Sequence, residues 1–329
     1  MIPGRIRAGW RPLLANAATF LLLAAGTQLL ARQPSAFDPA AWSSPWSGDA
    51  LLVVVDLLFL GLAFLVPLHG GVLNLGIYAQ FLAGFSVASL VATNPSIDPA
   101  ARAILALLAG AGAGALTGLI LIWLKWRFAV HEVLSGLLLG GALVPVARAV
   151  PTPSLEPGPQ SVLAWGIILM SLGVLIALVF AHFLRASAPG FDLRIVGSNP
   201  LAAVAAGVNV DAVQLWTLAA GGACAGLVGA LALVTQPSAA LLRWPLPLAF
   251  AGITVAIYGL GSVRGLILFS LLFAAWLHAP GTAVSLGDPG WATAAAALLV
   301  LPVLWTLPRL LPDQGAPRAL WRTRHRETY

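Results

Sequence analysis

The sequence predicts an all-α, polytopic membrane protein with about ten transmembrane helices and both termini in the cytoplasm. Three observations carry that expectation. First, 60% of the 329 residues are hydrophobic and only 9% are charged, with a mean hydropathy of +0.94. A water-exposed domain carries roughly 25% charged residues, so a soluble enzyme, a nucleic-acid-binding module and a disordered chain are all excluded. Second, the apolar stretches are long and continuous, as from Ala103 to Leu124, and do not alternate as the strands of a transmembrane β-barrel must. Third, thirteen of the 17 Lys and Arg residues fall on one side of the layout that these stretches imply, and basic residues collect in cytoplasmic segments.

The first apolar run, Leu13 to Ala31, follows Arg5, Arg7 and Arg11 and reads as an uncleaved first helix. Further spans are predicted at 49–68, 72–93, 103–124, 128–147, 161–184, 212–235, 246–262, 265–279 and 291–308. Glycines near the starts of the 72–93 and 246–262 spans predict interrupted helices there. Gly110, Gly114 and Gly118 stand four apart, as do Gly222 and Gly226, a spacing that strips one helix face and lets backbones approach. Outside loops rich in proline and tryptophan are expected at Pro34–Trp46, Pro151–Pro159 and Pro237–Pro247, with Trp42, Trp46, Trp165 and Trp244 as interfacial aromatics. The whole of 1–329 reads as a single transmembrane domain that ends in a basic tail over 309–329.

Catalytic patterns are missing. The only lysine, Lys125, lies in Trp123-Leu124-Lys125-Trp126-Arg127, so there is no phosphate-cradling GxxxxGK[ST]. The five histidines show no paired spacing that would hold a metal, and the single cysteine, Cys224, excludes an internal disulfide or a cysteine-rich metal site. No enzyme, metal or cofactor is therefore expected. Two carboxylates in or beside hydrophobic spans need a reason. Asp56 sits among Val and Leu, where it either bonds a neighbouring helix or couples transport to protons. Glu132 follows the Lys125/Arg127 cluster and is expected to pair with it.

The most informative stretch is the inside loop Phe191 to Val210. Asn199 can cap a helix, Pro200 suits its first position, and Gly207 supplies a left-handed stop. The result is a short cytoplasmic helix with few charges and a small, smooth surface, suited to dock on another protein or to lie on the membrane.

Here the chain resembles the permease subunits of ABC importers for nucleosides and simple sugars, the branched-chain-type inner-membrane permease family. Its LRIVGSNPLAAVAAGV, Leu193 to Val208, is similar to the family's LRAVGxNPxAAxxAGI. Gly71 to Gln80 resembles GxxNIGxEGQ, Leu124 to Leu138 resembles LKxxxxVxEVxxTLM, and Phe250 to Gly265 resembles FxGIAVALLGxxxPxG. The four stretches agree in order and spacing over roughly residues 55–280.

The resemblance implies a permease fold of the type II importer kind in a bacterial-type inner membrane, moving its solute by alternating access. It implies a separate ABC ATPase as partner, an extracytoplasmic solute-binding protein, and a cargo such as a nucleoside, a simple sugar or a riboflavin-like compound. The 191–210 loop would be the coupling helix, with Arg194, Gly197, Ser198, Asn199, Pro200, Leu201, Val204 and Gly207 meeting the ATPase. Asn74, Tyr78, Gln80, Ile253 and Thr254 would line the substrate path. The chain departs from the pattern at Tyr78, where the family has Glu, and at Ala79, Gly136 and Gly140 or Gly141. Polar groups are lost at these positions, so either the cargo differs or, the favoured reading, the subunit pairs with a second, non-identical permease that supplies the polar contacts. A proton- or ion-coupled carrier using Asp56 is the alternative, and a channel or structural component a third reading.

Overall fold

The computed structural model describes residues 10–30, 48–151, 159–235 and 245–278. The span expected at 291–308, the tail and most of the proline-rich outside loops lie outside the described residues. Within them every regular element is an α-helix. Five helices are long and apolar enough to cross a membrane, over Ala50–His69, Ala101–Phe128, Glu132–Ala149, Gly166–Ala186 and Val210–Leu233. Four more apolar helices are shorter. An all-helical, multi-pass membrane protein follows.

Helix α2 (Gly48–His69) is the axis of the bundle, with α6 (Pro159–Ala186), α9 (Val210–Thr235), α10 (Pro245–Tyr258) and α11 (Val263–His278) packed around it. The sequence dictates that place. From Ala50 to Val66 it carries one ionisable residue, and nearly every side chain there is buried. Helix α1 (Trp10–Leu30) lies on α10 and α11. Its Phe20 ring meets Tyr258, Phe269 and Phe273 at centroid distances of 5.8, 6.1 and 5.0 Å, and the Asn16 side-chain amide donates to the Tyr258 carbonyl at 2.9 Å.

On the other side, α3 (Ile77–Ala92), α4 (Pro99–Phe128) and α9 form a close-packed group. Their seam is made of the glycines that the sequence spaces four apart. A Cβ on Gly114 would overlap the Gly222 carbonyl oxygen, and one on Gly84 or Gly226 would strike backbone across the seam. Because backbone and not a flexible side chain is struck, Gly226→Val should cost about 2–3 kcal/mol. The expected result is loss of a monodisperse peak when the detergent-solubilised protein is sized.

Helix α5 (Glu132–Ala149) leans on α3 and to a lesser extent on α4. It starts later than the predicted 128, because α4 runs on through Lys125 to Phe128 and Ala129 then turns the chain with φ 53°.

Two predicted interruptions fare differently. The 72–93 span is indeed broken. Helix α2 ends just before Gly71 (φ 75°), where the Gly71 and Val72 amides donate back to Leu68 and Pro67, and α3 begins only at Ile77. The 246–262 span is not interrupted near its start. It ends early instead, at Tyr258, because Leu260 and Gly261 adopt φ 53° and 63°. The 191–210 loop also corrects the expectation of a single short helix. Two helices fill it, α7 (Ala188–Ser198) and α8 (Pro200–Ala205).

Candidate functional site

Three side-chain caps in series shape the α7–α8 unit. Ser187 Oγ accepts from the Gly190 amide at 3.0 Å and starts α7. Asn199 serves both helices. Its backbone amide donates to the Ile195 carbonyl at 2.8 Å, closing α7, and its Oδ1 accepts from the Leu201 and Ala202 amides at 3.0 and 3.1 Å, opening α8. Pro200 follows as first residue, where a missing N–H costs nothing. At the far end Gly207 takes φ 78°, the Gly207 amide donates to the Val204 carbonyl, and the Val208 amide donates to Ala203 at 2.9 Å. This is a complete Schellman stop. Asn209 Oδ1 then accepts from the Ala212 amide at 3.0 Å and starts α9.

A six-residue helix is far below the length that is stable alone in water, so these caps and a small core hold it. Ala203 faces inward against Leu193, Val196, Leu184 and Val213. Outward, Phe191, Leu201 and Val204 are exposed, with Ser198, Asn199, Pro200 and Gly207 around them. Arg194 reaches back along α7, its Nε donating to the Gly190 carbonyl at 3.3 Å and its guanidinium standing over the Phe191 ring at 5.9 Å.

Gly197 has a role that sequence reasoning missed. A Cβ there would overlap the His69 carbonyl oxygen and lie 2.8 Å from the His69 carbonyl carbon. The end of α7 therefore rests directly on the end of α2, at the point where the chain leaves the helix for the 70–76 break. Glycine at this position was the only signal in the sequence.

The break is welded by amides. Pro67 lacks an N–H, which leaves the Ala63 carbonyl without its intrahelical donor. Asn74 Nδ2 supplies a substitute at 2.9 Å and also donates to Gln80 Oε1 at 2.9 Å, while Gln80 Nε2 returns a bond to Asn74 Oδ1 at 3.1 Å. Both amide side chains are fully buried. Ile253 and Thr254 are buried as well, with Thr254 Oγ1 donating to the Phe250 carbonyl at 2.8 Å. Of the five residues expected to line a path, four thus turn into the protomer. Only Tyr78 is partly open, its ring lying on Gly140 of α5.

The two carboxylates part ways. Glu132 pairs with Lys125, Nζ to Oε2 at 3.2 Å, as the sequence predicts. Asp56 is 2% exposed, and among the described residues its Oδ1 has no hydrogen-bond partner. Among the described residues no cluster of His, Cys, Asp and Glu is arranged to hold a metal.

A family model described as the branched-chain amino acid transport system / permease component matches residues 48–304, the stretch that holds both the broken span and the α7–α8 unit. The chain belongs to this permease family. The permease is 29% identical over 253 residues to the glucose ABC transporter permease protein TsgB13 of Haloferax volcanii, covering 69% of this chain and 67% of that one. It is also 29% identical over 248 residues to the guanosine ABC transporter permease protein NupP of Bacillus subtilis, covering 68% and 70%. Similarity to the nucleoside ABC transporter permease protein NupB of Lactococcus lactis extends further, over 301 residues and about four-fifths of each chain, at 24% identity.

Proposed function

We propose that the permease is the membrane subunit of an ATP-driven importer for a small polar solute, a nucleoside or a related compound. The observation that carries the mechanism is the α7–α8 unit. It offers an exposed apolar patch at Phe191, Leu201 and Val204, and through Gly197 it bears on the joint between α2 and the 70–76 break. An ATPase gripping that patch has a rigid lever in hand. Closure of two such motors around ATP would shift α7 against α2 and rearrange the break, opening the solute route to the other side.

The assembly in this reading has two permeases, non-identical, two ABC ATPase subunits and a solute-binding protein on the far side of a bacterial-type inner membrane. This permease contributes about ten spans with both ends in the cytoplasm. The solute route runs beside Tyr78 and α5, while Asn74, Gln80, Ile253 and Thr254 form its supporting layer. Relatives bearing the names of guanosine, nucleoside and glucose permeases support a cargo of this size and polarity.

Reconstitution in vesicles with the cognate ATPases and binding protein tests the reading. Leu201→Cys should cross-link to an ATPase subunit, and Asn199→Leu with Pro200→Leu should abolish ATP-dependent uptake. Full uptake in that double variant with normal ATPase association would remove the assigned role. Asp56→Asn separates the carrier alternative. Uptake that needs ATP and stays within about twofold of wild type excludes proton coupling through Asp56, since a carboxylate relay cannot work as an amide.

A further inference from the structure

We propose that the elbow between α4 and α5 holds the headgroup of an anionic phospholipid, with Arg127 on the phosphate and Trp123 and Phe128 against the glycerol and the upper acyl chain. The inference goes beyond the importer reading and does not depend on it.

The open face of α4 leads to this corner. Ile104, Leu108, Gly112, Leu116, Ile120 and Trp123 recur at helical spacing, and all are exposed. Arg127, also exposed, comes next on the same stripe. The Ala101–Phe128 span is longer than a bilayer core requires, and depth along it follows from the rise per residue. Charged Arg102 sets the outer edge of the hydrocarbon near Ile104. Trp123 then stands about 28 Å further along the axis and Arg127 about 34 Å, against a hydrocarbon core of about 30 Å. The indole falls at the boundary, where amphipathic rings settle, and the guanidinium falls among the phosphates. A protein partner has no need of this order. A lipid does, because it presents tail, glycerol and phosphate in the same succession.

The elbow also has a fixed shape. Ala129 turns the chain at φ 53° and ends α4. Phe128 meets Trp123 edge-on at a centroid distance of 5.7 Å, and the Arg127 guanidinium stands over the Phe128 ring at 5.5 Å. A guanidinium laid on a ring face keeps its N–H edge free, and that edge matches two oxygens of a phosphate. Lys125 and Glu132 neutralise one another at 3.2 Å, so among the described residues Arg127 sets the sign of the corner. A headgroup of net negative charge suits it better than a zwitterion.

The site lies at the same end of the bundle as the α7–α8 unit. A Cβ on Gly76, at the close of the break, would run into Leu121 of α4, and one on Gly136 of α5 would lie 2.8 Å from Gly76 Cα. The break begins beside His69, where Gly197 of α7 rests. In the proposed assembly this end faces the cytoplasm, whose leaflet carries a negative surface potential.

The test places the full-length permease, with the subunits that copurify, in nanodiscs of mixed phosphatidylcholine and phosphatidylglycerol. A trace of either lipid carries a photoreactive diazirine halfway along one acyl chain, and the cross-linked residues are mapped by mass spectrometry. The exposed apolar face of α6, from Ile167 to Val179, is the internal reference. Relative to that face, the α4 stripe from Gly112 to Trp123 should take up phosphatidylglycerol over phosphatidylcholine about fivefold, the factor one basic residue contributes at a charged membrane surface. Arg127→Gln should bring the ratio to that of α6, and Arg127→Lys, which keeps the charge, should retain part of the preference.

Equal ratios on the two faces, or a preference indifferent to Arg127→Gln, would overturn the proposal. So would an α4 stripe closed to both lipids while α6 is labelled, which would place protein there. Loss of the preference on adding millimolar inorganic phosphate, at constant ionic strength, would assign the corner to a soluble anion instead.

Discussion

Gly197→Val should uncouple ATP hydrolysis from solute movement while leaving the motor attached. The new side chain would have to enter space held by the His69 carbonyl, and neither backbone can yield without parting α7 from α2. An overpacking cost of about 2 kcal/mol corresponds to roughly thirtyfold in the population of the docked arrangement. The outward patch at Phe191, Leu201 and Val204 is untouched by the change, so ATPase binding persists. In vesicles the ratio of ATP hydrolysed to solute accumulated should therefore rise by more than an order of magnitude. Gly112→Ala is the matched control, since a Cβ there meets nothing within 4 Å, and it should transport as wild type does. Normal coupling in Gly197→Val would mean that force does not pass through the contact between α7 and α2.

The second large effect is expected at Asn74. Replacement by Leu preserves the approximate volume but removes three hydrogen bonds, leaving the Ala63 carbonyl and the Gln80 amide buried without partners. Each stranded group costs about 1–3 kcal/mol, so a loss near 3 kcal/mol overall is expected in detergent melts. The chain also provides its own rescue. Because the Ala63 carbonyl lacks a donor only through Pro67, Pro67→Ala restores an N–H at the right place in α2. The double variant Pro67→Ala, Asn74→Leu should regain about 1 kcal/mol relative to Asn74→Leu alone. Strict additivity of the two changes would refute the proline-compensation account, since side chains sharing a partner must couple.

Hydropathy made the helical spans legible because lipid solvation acts on whole segments, and a run such as Ala50 to Val66 has no other use. The caps at Asn199 and Gly207 were equally readable, since their chemistry is local. Helix α7 was less so. Pro189 and Gly190 suggest a loop, yet Ser187 with proline two positions later is also how a capped helix begins, and the Ser187–Gly190 bond selects that outcome. Side-chain direction was not legible at all. Asn74 and Gln80 resemble a polar lining when read along the chain, and Ile253 and Thr254 lie in a motif. Whether such residues face a route or one another depends on the rotation of α3 and α10 against α2. That rotation is fixed by close approaches such as Leu60 against Gly252, which involve residues distant in sequence.

The glycine seam has a consequence for how the molecule can move. With backbones touching across α3, α4 and α9 at Gly84, Gly114, Gly222 and Gly226, that seam holds no bulky side chain to slide or re-pack, which favours these three helices travelling as a single stiff plate. Deformation is thereby pushed to its margins, above all to the amide-stitched stretch before Ile77. In the proposed stroke, a short polar knot of that kind would be undone and retied without loosening the slab it is attached to.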